Sequence, residues 1–395
     1  MRVKTIVAAI VALSATACAG LLSGHAIPPA YGVTAPLVPE RRAAGGGTSV
    51  LKTLTKQVVI GSTIAPNGDQ NPYGLVVGTA TSGKVKKGNL YVCNFNNNAN
   101  VQGTGTTIVS LAPVAGSAPV LFAQSNLLDG CAVLTMSTLG TAAEMYAAAF
   151  SSGLEVTLAN GGTIVKSSKK GLKGPFGIAY AVSNAAIASY ATTAVYVSDA
   201  ATGSIVLAEY CSSAMCTYPD KPIVTGFAVN KGKPGSILGP SGLTFDPKNC
   251  VKIQGRNACG TLYVVDGVTN TVVAIHNVLN LRKANSIVVG KSGTTFTGRE
   301  ASWAQKVYAG NPLKGPISAA LLYNGNLVVG NTLNRAGTNL LVEINPSSGE
   351  MLDKVNVDKG PAGAIFGIVA TGNATSPKVY FNDDNANNVQ VLEKK

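Results

Sequence analysis

From residue 56 to the end of the chain, short apolar runs alternate with stretches of Gly, Pro, Asn, Asp, Ser and Thr. Runs such as Leu90-Tyr91-Val92, Val195-Tyr196-Val197 and Leu262-Tyr263-Val264-Val265 combine β-branched and aromatic residues and are bounded by turn formers. That pattern predicts β-strands rather than helices. Between Gly174 and Asn230 it predicts four of them, at about 177–182, 194–198, 204–210 and 222–229. Beyond the N-terminus no apolar run reaches the roughly 18–20 residues that would span a bilayer as a helix.

The strand pattern recurs as a phrase. Asn71-Pro72-Tyr73-Gly74-Leu75 leads to Leu90-Tyr91-Val92-Cys93-Asn94. Gly174-Pro175-Phe176-Gly177-Ile178 leads to Val195-Tyr196-Val197-Ser198-Asp199, and Gly239-Pro240-Ser241-Gly242-Leu243 to Leu262-Tyr263-Val264-Val265-Asp266. Looser copies run from Gly315-Pro316 to Leu327-Val328-Val329-Gly330-Asn331, and from Gly360-Pro361-Ala362-Gly363 to Val379-Tyr380-Phe381-Asn382-Asp383. A degenerate unit, from Cys131 to Val165, fits the long first interval. Six units of four antiparallel strands, a to d, predict an all-β fold, a six-bladed β-propeller. The last unit has strand a near 363–369, b near 378–382 and c near 388–393, and no strand d. Lys56-Gln57-Val58-Val59-Ile60 is a spare strand, similar to Ser286-Ile287-Val288-Val289-Gly290, which reads as strand d of the fourth unit. The expectation is a ring closed by the N-terminal strand, which completes the last blade.

With its P-x-G-[IL] openings and [LV]-Y-V-x-[DN] second strands, the chain resembles the NHL-repeat family of six-bladed propellers over about residues 54–393. The resemblance implies an architecture and almost nothing about activity. Six-bladed relatives include metal-dependent lactonases and esterases, which need several acidic ligands around the channel. Asp and Glu total only 18 here, and no acidic cluster stands out. Asn94, Asp199, Asp266, Asn331 and Asp383 end their b strands, where such side chains bond the following turn. The Asn-rich stretches 96–100 and 382–388 read as solvated turns, with sugar recognition as the other reading. Of the two histidines, His25 lies in the leader region, and His276 ends a strand c without a partner for general-base chemistry.

Residues 1–17 read as a signal peptide: Arg2 and Lys4, then apolar Ile6 to Leu13, then small residues. Ala15-Thr16-Ala17-Cys18 fits a lipobox with Cys18 lipidated; ordinary secretion with cleavage after Ala17 or Ala26 is the alternative. Residues 18–49 form a Pro/Gly-rich tether, and 50–395 a single propeller domain. Seven cysteines less Cys18 leave six, an even number suited to disulfides in an exported protein. Spacing favours Cys211 with Cys216 and Cys250 with Cys259, leaving Cys93 and Cys131 to bridge two blades, although six cysteines allow 15 pairings.

Lys and Arg outnumber Asp and Glu by 31 to 18, giving a net charge of +13. Lys169, Lys170, Lys173, Lys231 and Lys233 fall in d–a loops, which share one face of a propeller, while Lys84, Lys86 and Lys87 fall on the other. The long segment 291–315 carries Arg299 and the single tryptophan, Trp303. Together these define a candidate ligand-binding face for an anionic glycan or a protein partner. No aromatic-interleaved basic motif points to nucleic acid, and a lipid anchor is the sole expected membrane contact. No catalytic residue, cofactor or metal ligand is identified. The expectation is a non-enzymatic binding or scaffold propeller at the bacterial envelope: periplasmic, an outer-membrane lipoprotein or extracellular. The alternative is a metal-dependent, lactonase- or esterase-like hydrolase that uses the central channel.

Overall fold

The structure, a computed structural model, describes residues 47–137, 143–167, 171–183, 191–212, 215–253 and 255–395. The leader, Cys18, His25, the tether to residue 46, Lys169 and Lys170 lie outside the described residues. The fold is an all-β propeller with four single-turn 3-10 segments among the described residues.

Unit 1 pairs Gln70–Val77, Leu90–Asn96, Thr107–Leu111 and Val120–Gln124, and unit 2 pairs Cys131–Met136, Met145–Ala149, Leu154–Leu158 and Ile164–Ser167. Unit 4 pairs Pro240–Ile253, Arg256–Asp266, Thr271–His276 and Ala304–Ala309; unit 5 pairs Pro316–Leu321, Leu327–Asn331, Asn339–Asn345 and Glu350–Asp358. In unit 6, Ile365–Thr371, Lys378–Asp383 and Asn388–Glu393 take Lys56–Ser62 as their fourth strand. That N-terminal strand runs antiparallel to the chain's last strand, from Lys56↔Glu393 to Ser62↔Asn388, the pairing the sequence anticipates.

Two expectations are corrected. Instead of six equal blades there are five four-stranded ones and a larger sheet of seven strands. That sheet, unit 3, contains Pro175–Val182, Thr193–Asp199, Ser204–Ser212, Met215–Thr217 and Lys221–Thr225, and adds Ile287–Val289 and Phe296–Thr297. The second correction explains the first. Ser286–Gly290 does not supply strand d of the fourth unit; its core pairs in parallel with Lys221–Thr225 next door, and Ala304–Ala309 takes the d position. The apolar Ile287-Val288-Val289 is buried between sheets, whereas the outermost strand needs only one covered face and reads weakly as Ala-Gln-Lys-Val-Tyr-Ala.

The recurring phrase has a structural cause. Its proline and its terminal Asp or Asn are register partners: Pro72↔Asn94, Pro175↔Asp199, Pro240↔Asp266 and Pro316↔Asn331. The motif glycine lies where neighbouring inner strands nearly touch. A Cβ on Gly177 would stand 1.8 Å from the Ser241 carbonyl oxygen, and one on Gly242 2.5 Å from Ser318 Cα. In unit 6 this role belongs to Gly367, not Gly363, because strand a starts at Ile365, opposite Asp383.

The residue before the terminal Asp or Asn reaches the next unit in three copies. Cys93 forms a disulfide with Cys131, Ser198 Oγ donates to Ser241 O at 2.7 Å, and Asn382 Nδ2 donates to Tyr73 O at 3.1 Å. The motif tyrosines Tyr91, Tyr196 and Tyr263 are fully buried, and each hydroxyl is hydrogen-bonded. Tyr91 accepts from Lys86 N at 2.8 Å, Tyr196 donates to Val278 O at 2.9 Å, and Tyr263 accepts from Asn249 Nδ2 at 2.6 Å. The N-terminal segment is pinned by buried Glu343, whose carboxylate accepts from Ser49 Oγ at 2.6 Å, Val50 N at 3.1 Å, Leu51 N at 2.8 Å and Asn326 Nδ2 at 2.7 Å.

Candidate active site at the channel mouth

Strand a of every unit contributes to one central cavity of about 70 Å³. Its walls are Leu75, Leu134, Ile178, Leu243, Ala319 and Ile368, with Ser318 as a hydroxyl. At the end that carries the motif prolines, aromatic rings cover it. Tyr73 stacks on Phe95 and Phe366 with ring centroids 4.1 and 3.7 Å apart, and Phe150 and Phe176 meet edge-on at 6.0 Å. The channel is thus an apolar core, and its chemistry lies at this rim.

There the two Asn-rich stretches meet. Asn71, at the start of strand a in unit 1, adopts a left-handed conformation (φ 69°) that asparagine tolerates, and it is buried. Its N–H donates to Asn387 Oδ1 at 2.7 Å. With its amide nitrogen turned toward Asp384, it donates to both carboxylate oxygens, at 2.8 Å to Oδ2, and its oxygen accepts from Asn96 Nδ2 at 2.9 Å. Asn96 also donates to Asn100 Oδ1 at 2.7 Å. Asn94, Asn96 and Asn382 are fully buried, so the expectation of solvated turns holds only for the tips of these stretches.

Asp384 is partly buried beside the aromatic cover. Burial, reinforced by the neighbouring Asp383 charge, pushes its carboxyl up to about 7. Burial raises Asp383 to about 6, aided by the Asp358 charge and opposed by bonds from Ala386, Asn385 and Gln390. Tyr73 is raised by burial and then by the Asp384 charge. Round the same rim, Asp69 accepts from Thr106 N at 2.7 Å, and Asp129 is raised by burial and by Asp69. The repeat pattern singles out neither Asn71 nor Asp384. The available signal is the doublet Asp383-Asp384, of which only the first is needed to end the strand.

The sequence-based candidates lie elsewhere. Lys173, Lys231 and Lys233 are exposed at the motif-proline end of unit 3. Arg299 pairs with Glu300 at 2.7 Å. Trp303 immediately precedes strand d of unit 4, near His276 at the far end, and packs against the core between units 3 and 4. The expected single face therefore divides between two ends. Of the strand-ending residues, Asp266 and Asp383 accept from the following turn as expected, at Val268 N and Ala386 N. Asp199 and Asn331 instead hold the backbone before strand a, at Gly174 N and Lys314 N, and Asn94 donates to Thr63 O. His276 is buried between Thr261 Oγ1 at 2.9 Å and Gln305 at 3.4 Å; burial lowers its pKa against the Gln305 bond.

A divalent cation of the calcium type takes six to eight oxygens, several from carboxylates. At the rim Asp384 is engaged by the Asn71 amide and Asp69 by Thr106, and among the described residues no three candidate ligands converge there, a donor set that does not fit. Among the described residues one group brings three candidate ligands together, Glu209, Cys211 and Cys216, but both sulfurs belong to one disulfide. All three expected disulfides are present: Cys93–Cys131, Cys211–Cys216 and Cys250–Cys259. They mark a non-cytosolic, exported protein. No helix among the described residues is long and apolar enough to cross a membrane.

No protein-family model and no curated protein matches the chain. Solved structures do. Virginiamycin B lyase from Staphylococcus aureus is 13% identical over 85% of this chain and 97% of that one, with a TM-score of 0.42. A protein described as a putative gluconolactonase is 11% identical over 86% and 92%, with a TM-score of 0.47. The calcium-binding protein regucalcin from Agrobacterium tumefaciens is 11% identical over 85% and 95%, with a TM-score of 0.45. Likenesses at this level concern the course of the chain, not its chemistry. The expectation of a non-enzymatic binding or scaffold propeller is nonetheless corrected. The rim carries a partly buried carboxyl raised to about 7 and faced by amide side chains, which that expectation did not include.

Proposed function

We propose that the protein is a hydrolase of small esters or lactones acting at the rim of the channel, with Asp384 as its proton-transferring group. The observation that carries this reading is a partly buried carboxyl that burial and the Asp383 charge raise to about 7, faced by the Asn71 amide, whose bonds act against that rise. A carboxyl so tuned is half ionised near neutral pH, where a general base is most effective. Ionised, it takes a proton from a water attacking the ester carbonyl; protonated, it returns that proton to the departing alkoxide. Asn71, backed by Asn96 and Asn387, keeps the carboxylate in one orientation through the cycle. The partly exposed Phe366, stacked on Tyr73, gives the acyl portion an apolar seat.

The same reading treats the seven-stranded sheet as a sixth blade with additions, and the Lys56–Ser62 strand as the closure of a six-membered ring. It takes residues 1–17 as a cleaved export signal, with lipidation at Cys18 as one of its two forms.

The test is turnover of a panel of aryl esters and five- and six-membered lactones by the mature chain. Asp384→Asn should lower kcat/KM by about 10²–10⁴, the usual share of general acid–base catalysis. The rising limb of the pH–rate profile should have its midpoint near 7. Turnover undiminished in Asp384→Asn, or none with any member of the panel, would overturn the assignment.

A further inference from the structure

At the end of the molecule opposite Asp384, units 3 and 4 leave a cavity of about 170 Å³. Its apolar wall is Val182, Pro247 and Leu279, with Cys259 of the Cys250–Cys259 disulfide. Its polar wall is Arg282, Tyr210, Thr192, Ser183 and Asn280. None of these belongs to the rim described above.

Arg282 is the unusual member. It is half-buried, and its guanidinium lies over the Tyr210 ring with Cζ 3.6 Å from the centroid. Nη1 donates to Leu281 O at 3.3 Å. Among the described residues no ion pair involves Arg282, although four others are formed. Lys221 adds a second cation, its Nζ donating to Arg282 O at 3.1 Å. Burial disfavours ionised Tyr210, but bonds involving Arg282, Ser212 and Thr192 outweigh it and bring its pKa below the ordinary value.

A partly desolvated guanidinium without a counter-charge favours an anion, and its planar fork matches a carboxylate. The size of the cavity limits the rest of the ligand. A cavity of about 150 Å³ in another protein accommodates benzene. We propose that this cavity is a binding site for a small planar carboxylate of benzoate size. The carboxylate sits on Arg282, and the ring lies against Leu279 and Pro247. The Ser183 hydroxyl, which accepts from Thr192 N, lines the same wall and can donate to the second carboxylate oxygen. The site is independent of the Asp384 reading, and either can fail without the other.

The experiment is calorimetric titration of the full mature chain with sodium benzoate, and with benzamide as the uncharged isostere. Saturable one-to-one binding of benzoate is expected, at least tenfold tighter than benzamide and weakened by added salt. Arg282→Gln should weaken benzoate binding at least tenfold and leave benzamide unchanged. If Arg282→Gln does not fold, Ser183→Phe fills the cavity from its rim and should abolish the benzoate-induced rise in melting temperature. The proposal is overturned by equal affinity for benzoate and benzamide, by the absence of benzoate binding, or by unaltered binding in the folded variants.

Discussion

Asp384 makes stability depend on pH in a direction opposite to that of a typical salt-bridged aspartate. Its carboxyl is raised from an ordinary 3.8 to about 7, first by burial and then by Asp383. The folded protein therefore holds this proton more tightly than the unfolded chain does. The stabilising contribution is complete below about pH 4, shrinks as pH rises, and is gone above about 7. A shift of that size corresponds to about 4 kcal/mol at 1.36 kcal/mol per pH unit. Because Asp384 is only partly buried and the Asn71 amide favours its charged form, the expected value falls to about 2 kcal/mol. Asp384→Asn removes the titration while keeping the shape. Urea unfolding of both proteins at pH 4 and pH 8 measures the effect as a change in midpoint at constant slope. Relative to wild type, the variant should gain about 2 kcal/mol on going from pH 4 to pH 8. Asp383 and Glu155, also raised by burial, titrate in both proteins and largely cancel. Parallel stability curves for the two proteins would refute the burial argument, and with it the basis for assigning Asp384 a proton-transfer role.

Glu343→Gln leaves one acceptor oxygen where the carboxylate serves four donors, so two charge-assisted bonds are lost, at about 2–4 kcal/mol in total after Ser49 rotates to accept from the new amide. At about 2.1 cal/mol/K per residue, the melting temperature should fall by about 3–6 °C, and a shift below 1 °C in scanning calorimetry would contradict this account of the N-terminal anchor. Replacing Cys93 and Cys131 together with Ala should cost about 4 kcal/mol, against about 2 for Cys211 and Cys216, because the sequence separations are 38 and 5. Chemical denaturation of the two double variants checks this ordering, and a reversed order would show that loop closure does not govern their contributions.

Some of these features are legible in the amino-acid sequence itself, and the reason is local. The phrase Pro-x-Gly followed by Tyr-Val-x-Asp is visible because each part meets a constraint set by its nearest neighbours: proline opposite aspartate, and tyrosine in the core. The glycine and the x residue face the next unit, yet they recur because every junction repeats the same close approach. The disulfides are legible for a related reason. Cys211↔Cys216 and Cys250↔Cys259 are register partners within single hairpins. The N-terminal strand is legible as an absence, since a last unit without a fourth strand leaves an unpaired edge.

The residues that leave no mark on the sequence pattern depend on distance. Asn71 and Asp384 are more than 300 positions apart and meet because unit 6 packs on unit 1, where Asn382 bonds Tyr73 and Gly74 and Asn387 bonds Asn71. No periodicity records that contact, and the raised carboxyl follows from burial that the contact creates. Strand d of unit 4 is misplaced by pattern alone because apolar Ile287–Val289 has the stronger strand signal, but packing assigns it to the neighbouring sheet and leaves the outer position to a more polar segment. The cavity at Arg282 has the same origin, since its walls come from two units. Sequence alone determined what a single repeat requires: its strands, turns, tyrosine anchors and hairpin disulfides. Only the tertiary structure decided which repeats touch, and so where charge is desolvated. A polar side chain becomes chemically distinctive through its surroundings, and here those surroundings are brought together from distant parts of the chain.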